Sequence, residues 1–425
     1  MSYYHLPATH NQTYRQLSIS TADTPPTEHV SHSLARYIYE IKEKISVCEK
    51  DWNVHKKYTN AYEYIHSYVP HKKRAVSKYK PLSRSYFKMV ELIQLFDLVP
   101  RKQASITDGY RVVSSKYSLP THVNDNAPIR TFHLAEGPGG FIEAVVRMRP
   151  EKVGDKCIGM TIIDTDYESG VPSWKRSDAF LSENAATVGI EVGSDGTGNI
   201  LSLENFDHCC AKYGASMDFI TADGGFDFSV NFNEQEMMMI PLLYAQICYA
   251  ICMQKRGGHF VLKLFDCFHK PTIDLLYLLS SVYKTVYICK PQTSRTGNSE
   301  KYVVCKHFLR DNADTMRGTL RNTFAAILES MQQNRCITQI LRMPLPAIYL
   351  ARLEEYNAIF GQQQIENIHY TLSIIDKHMK SEKIDYIVRQ NVIKCINWCI
   401  KHQIPYHNPN AFVQQVPTHM QSAAV

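Results

Sequence analysis

The chain has 425 residues, 44% of them hydrophobic and 21% charged, with a formal net charge of +6. That balance excludes a disordered or fibrous chain and suits one large domain with extensions, or two domains. The small basic excess permits a nucleic-acid partner without requiring one, and no run of about 18 apolar residues is present to span a bilayer.

Residues 1–32 are polar, rich in Ser, Thr and His, and read as a flexible arm. Leu34, Tyr37, Ile38, Ile41, Ile45 and Cys48 recur at helical spacing, which predicts an amphipathic helix over about 33–50. A basic run follows, Lys72, Lys73, Arg74, Lys78, Lys80, Arg84 and Lys88, with no acid among them. Tyr79, Tyr86 and Phe87 are interleaved, a pattern suited to phosphates and stacked bases and placed to form the rim of a substrate cleft. A solvated linker is the competing reading. Ser83 offers a cap for a helix carrying Tyr86, Phe87, Val90, Ile93 and Leu98.

Short apolar strands then alternate with helices. Strands are expected at 129–135, 157–163, 217–222, 259–265, 284–289 and 301–306. Helices are expected at 141–149, 234–256 and 272–282, with Gly257-Gly258 closing the second and Pro241 kinking it or marking its start. Such alternation implies a mostly parallel sheet with helices on both faces. Beyond 311 the strand signals fade, and 314–332, 347–360 and 364–400 read as helices. The expected organisation is a flexible arm with a helical, basic extension over 1–82, an α/β domain over 83–310, and a helical C-terminal region over 311–425. The twelve cysteines form no CxxC pair, so they read as reduced, mostly buried thiols in an intracellular setting, and no metal site is expected.

The sharpest local feature is Glu136-Gly137-Pro138-Gly139-Gly140-Phe141, which ends one strand and opens one helix. Glycines there let a ligand approach the backbone. An acid at the strand end suits a ligand carrying an ammonium, such as the methionine end of S-adenosylmethionine. The GxGxxG spacing of a dinucleotide site is absent, which disfavours a dehydrogenase. A plain structural turn is the alternative. Asp223 ends a later strand, Lys263 lies inside an apolar one, and Glu300 precedes another. A lysine in a buried strand is costly without a partner, and Asp223 is the candidate, because both sit near the carboxyl edge. A structural ion pair, or a lysine reaching for the surface, is the competing reading of Lys263. Functionally, a lysine can draw a proton from an attacking hydroxyl if burial and a second lysine pull its pKa down while carboxylates balance them.

Four ordered motifs, SRSYFK, TADGGF, VLKLF and NSEKYVVCK, together with the AEGPGGF loop, make residues 83–310 resemble the FtsJ-like ribose 2′-O-methyltransferases, and among them the cap-specific mRNA branch. The resemblance implies a Rossmann-like methyltransferase sheet, S-adenosyl-L-methionine as cofactor, RNA as substrate (capped mRNA above all), and capping or transcription partners. It implies a catalytic tetrad of Lys88, Asp223, Lys263 and Glu300, with Lys263 as general base. It places Glu136 to Phe141 on the cofactor, Asn199 and Ile200 against it, and Asn298 on the RNA. Asn199 stands where the family has an acid, so a charge is lost there. A viral member of the family also resembles the chain, which implies work in a host cytoplasm and packaging in a virion. A ribosomal or transfer RNA methyltransferase, and a catalytically silent module that binds RNA or a capping partner, are the alternative functions.

Overall fold

The apolar runs of the central region become neighbouring strands because each is too short to bury itself alone. In the computed structural model, residues 2–9, 12–100, 127–150, 153–164, 172–225, 233–377 and 380–412 are described. The strands are β1 (Ser2–Leu6), β2 (Leu17–Ala22), β3 (Arg130–Leu134), β4 (Lys156–Met160), β5 (Val188–Ile190), β6 (Met217–Ala222), β7 (Gln254–Leu264), β8 (Tyr283–Lys290), β9 (Lys301–Phe308) and β10 (Cys336–Leu341). Eight form one sheet in the order β1-β8-β9-β7-β6-β3-β4-β5, and β10 pairs with β2 in a second. Strands β5, β4, β3, β6 and β7 run parallel, while β9, β8 and β1 complete the sheet antiparallel.

The helices are α1 (His32–Val47), α2 (Glu49–Thr59), α3 (Ser85–Phe96), α4 (Gly140–Met148), α5 (Asp178–Glu183), α6 (Leu203–Tyr213), α7 (Gln235–Met238), α8 (Ile240–Met253), α9 (Lys270–Val282), α10 (Asp314–Gln332), α11 (Ala347–Asp376) and α12 (Ser381–Lys401). Every residue of α8 is buried, as expected of a helix that is apolar all round. Pro241 lies in its first turn, where its missing N–H costs nothing. The chain is thus an α/β protein with a Rossmann-like sheet flanked by helices.

Several expectations are corrected. Residues 1–32 are no loose arm: β1 pairs with β8 and β2 with β10, because tertiary pairing overrides a weak local strand preference. The region beyond 311 contains β10. The strand expected at 157–163 ends at Met160, and β7 begins at Gln254, so Gly257-Gly258 lie inside a strand rather than after a helix. α11 runs unbroken through 361–363. Ser83 caps no helix; its hydroxyl meets that of Ser85 at 2.5 Å. The reading of the cysteines as mostly buried holds for all but Cys48 and Cys336.

The chain divides into two compact units, neither continuous in sequence. The first holds residues 1–35, 82–291 and 300–359, and so contains both sheets. The second holds 36–81, 292–299 and 360–425. Its core includes Trp52, Tyr64, Ile65, Cys395 and Trp398, and Asn391 bonds the Tyr58 carbonyl at 2.7 Å.

Candidate active site

The order of the large sheet fixes where chemistry can occur. From β3 the chain steps outward to β4 and β5, then returns to β6 on the other side of β3. That reversal opens a crevice at the carboxyl ends of β3 and β6. The glycine loop follows β3 and Asp223 follows β6. Lys263 is the penultimate residue of β7, and its register partner is Tyr302. Because β9 is antiparallel to β7, its start lies beside the end of β7, which brings Glu300 to the same edge. Lys88 reaches it from α3.

Two ion pairs result. Lys88 Nζ sits 2.7 Å from Glu300 Oε1 and 2.9 Å from Oε2. Lys263 Nζ donates to the Asp223 carbonyl at 2.7 Å and stands 3.3 Å from Asp223 Oδ1. The expected Lys263–Asp223 pairing is therefore present, and the structure gathers all four residues into one charged edge. Burial pushes the Glu300 carboxyl up, but Lys88, Lys263 and Lys290 outweigh it and hold it well below the usual carboxylate range.

Two neighbours received no role in the sequence reading. Lys290 ends β8 and donates to the Glu300 carbonyl at 2.7 Å. Burial, then Lys301 and Lys88, pull its amine down to about 7, against Glu300 and Asp266. Its signal was there, a lysine closing an apolar strand, as with Lys263. Tyr302 is fully buried and donates its phenol to Asp223 Oδ1 at 3.1 Å.

The glycine loop is built for close approach. Gly139 has φ of 104°, a left-handed conformation that favours glycine. Glu136, however, does not face a ligand. Its Oε1 accepts from the N–H groups of Phe141 and, at 3.0 Å, Ile142, capping the start of α4. Its Oε2 lies 3.1 Å from His133 Nδ1 and 3.3 Å from Thr221 Oγ1. Burial raises its pKa. The expected role of meeting an ammonium is corrected accordingly: the acid holds the loop, since the orphan N–H groups of a helix start attract a carboxylate. Gly137 approaches the backbone of Pro172 and Ser173 so closely that a side chain there would collide with it. Phe141 is buried, as is Gly140 at the first position of α4.

The second loop of the crevice is 193–200, beyond β5. Gly198, at φ of 67°, lies against the Thr161 carbonyl. Asn205 and Asp195 hold the loop from inside, with Asn205 Nδ2 bonding Asp195 Oδ1 at 2.9 Å and the Asn199 carbonyl at 3.0 Å. Asn199 Oδ1 accepts from Leu201 N at 2.9 Å, which leaves its Nδ2 as a donor for a ring nitrogen. Ile200 is buried. The unspent Asn199 amide donor and the glycine-lined backbone fit the adenine and amino-acid ends of S-adenosylmethionine.

Asn298 belongs to the second unit. Its segment is anchored there by Arg295, which forks onto Glu63 at 2.7 and 3.0 Å, and by Thr296 N on Asn60. The basic run is divided. Lys73, Arg74, Lys78 and Lys80 are exposed in the second unit, whereas Lys88 is buried against Glu300 in the first. Phe226 lies outside the described residues. A groove of about 630 Å³ beside Arg149 and Phe180 lies at the opposite, amino edge of β4. Arg149 is spent there on Asp155 at 2.7 Å and on main-chain carbonyls.

Comparison with known proteins identifies the family. A family model described as FtsJ-like methyltransferase matches residues 81–308. The chain is similar to a cap-specific mRNA (nucleoside-2′-O-)-methyltransferase 2 of Drosophila melanogaster, 30% identical over 198 residues, which is 44% of this chain and 28% of that one. A protein of the same name from Danio rerio is 27% identical over 364 residues, 81% of this chain and 44% of that one. The chain thus spans less than half the length of either relative. A solved structure, a putative ribosomal RNA methyltransferase from Plasmodium falciparum, aligns with TM-score 0.34 and 18% identity over 54% of this chain and 98% of that one.

Proposed function

The chain belongs to the FtsJ-like methyltransferase family, and on that premise we propose that it methylates a ribose 2′-hydroxyl at the 5′ cap region of mRNA, using S-adenosyl-L-methionine. The observation that carries the reading is the pair of salt bridges, Lys88–Glu300 and Lys263–Asp223, at the crevice edge beside the glycine loop. The names of the relatives support the cap as target.

S-adenosylmethionine, when bound, supplies a methyl group activated on a sulfonium. The residues to hold it are the backbone of 137–140 and the Asn199 amide. The protein's own task is the proton. As the ribose oxygen attacks, its hydrogen passes to Lys263 Nζ, which must be neutral to receive it. Asp223 orients that nitrogen through its carbonyl and Oδ1, so the lone pair is aimed rather than free to rotate. Lys88 and Glu300 complete the charged wall, and Asn298 is assigned to RNA contact. Capping or transcription partners belong to the same proposal.

In Lys263→Ala, transfer of labelled methyl to a short capped RNA is expected to fall at least 1,000-fold, roughly the share of a positioned base. Cofactor affinity by calorimetry is expected to stay within about twofold. Full activity in that variant would sink the base assignment. Equal methylation of capped and uncapped transcripts would move the substrate to ribosomal or transfer RNA. Cofactor-free, inactive but folded wild-type protein would favour the silent RNA-binding module.

A further inference from the structure

Tyr302 stands between the two ion pairs of the proposed site. It lies directly across from Lys263 in the β7–β9 ladder, so the two side chains leave the sheet on the same face. Its phenol oxygen is 3.1 Å from Asp223 Oδ1, the same oxygen that Lys263 Nζ approaches at 3.3 Å. Lys88 Nζ lies 5.9 Å from its ring centroid, within cation–π range. Phe141, from the first turn after the glycine loop, leans on the ring at 5.9 Å between centroids. One fully buried side chain therefore touches one member of each ion pair and the helix that carries the cofactor loop.

We propose that Tyr302 is a positioning residue for methyl transfer, whose hydroxyl draws charge from Asp223 and so governs how firmly Lys263 holds its proton. The inference rests on Lys263 acting as the base. A carboxylate that accepts an O–H bond has less charge left for a neighbouring ammonium. Phenol and ammonium share one Asp223 oxygen, which loss of the hydroxyl would leave to the lysine alone. The phenol stays a donor at working pH, since burial, then Asp223 and Glu300, push its own pKa well up. The charged and titratable groups around it are Asp223 beyond β6, Lys263 on β7, Lys88 on α3, Glu300 ahead of β9 and the Cys289 thiol on β8.

Tyr302→Phe keeps the ring and its packing and removes only the hydroxyl. Methyl transfer to a short capped RNA would be followed from about pH 6 to 10 in wild type, Tyr302→Phe and Lys263→Ala, with cofactor affinity measured on each. We expect Tyr302→Phe to bind S-adenosylmethionine and RNA within about twofold of wild type. Its kcat at pH 7 should fall about tenfold, its rising limb should move about one pH unit alkaline, and its rate should recover at high pH, one unit being a tenfold change in the neutral fraction. A wild-type profile, or a rate lowered equally at every pH, overturns the inference while Lys263→Ala remains inactive. An active Lys263→Ala identifies failure of the base reading itself, and the inference falls with it.

Discussion

Glu300 and Lys88 face each other where neither has much water. Their side chains are 12% and 9% exposed, so removing one charge strands the other. Glu300→Gln is expected to cost about 3–5 kcal/mol in urea unfolding near neutral pH. The sign of its pH dependence follows from the direction of the shift. The folded-state pKa of Glu300 is lowered, so its contribution is complete above the ordinary glutamate value near 4.5 and is lost as pH falls below it. The gap between wild type and Glu300→Gln should therefore close on acidification, and a gap unchanged from pH 6 to 3 would contradict the pairing. At this scale the sequence was legible where two residues share an edge of the sheet. Asp223 and Lys263 both end parallel strands, and that suffices to bring them together. Glu136 was misread because a strand-end acid looks alike whether it faces a ligand or turns back to cap the next helix. Tyr302 sat inside a recognised motif, but only strand register reveals what its hydroxyl reaches.

Among the elements, β1 is the clearest departure from the sequence reading. Leu6 is buried, Tyr4 stacks on Tyr356 at 4.8 Å between centroids, and the Tyr356 hydroxyl donates to the His5 carbonyl at 2.6 Å. Its five residues cover the free edge of β8 from Val286 to Lys290. Deleting residues 2–6 is expected to lower the unfolding temperature by several degrees and to promote self-association, because an exposed strand edge recruits other strands. Light scattering alongside thermal melting would report both, and an unchanged melt without aggregation would show that the edge needs no cover. The segment was hard to read since five residues carry too little alternation to signal a strand. β10 was missed for a related reason: its short run of apolar and polar residues lies between long helical patterns. The central strands were legible because buried parallel strands are nearly continuous apolar runs.

For the whole molecule, the domain boundaries that sequence patterns suggest cut through packed structure. A fragment of residues 83–310 would lack β1, β2, β10 and α10. Leu320, Phe324 and Ile327 of α10 are buried, and Tyr244 on α8 donates to the Leu320 carbonyl at 3.1 Å. That fragment is expected to be insoluble or to lose its near-ultraviolet dichroism, whereas the full chain keeps it. A well-ordered excised domain would refute this division. Composition shifts along a chain report local preference, and they carry no trace of a unit assembled from segments far apart in sequence.

That assembly sets a timetable for folding. Leu17 pairs with Leu341, and Ser2 with Lys290. At ribosomal speeds of roughly 5–20 residues per second, β1 and β2 wait on the order of tens of seconds for partners made later. Such long-range closures are also intrinsically slow. The nascent chain therefore carries two strand edges unpaired until the segments that complete them emerge.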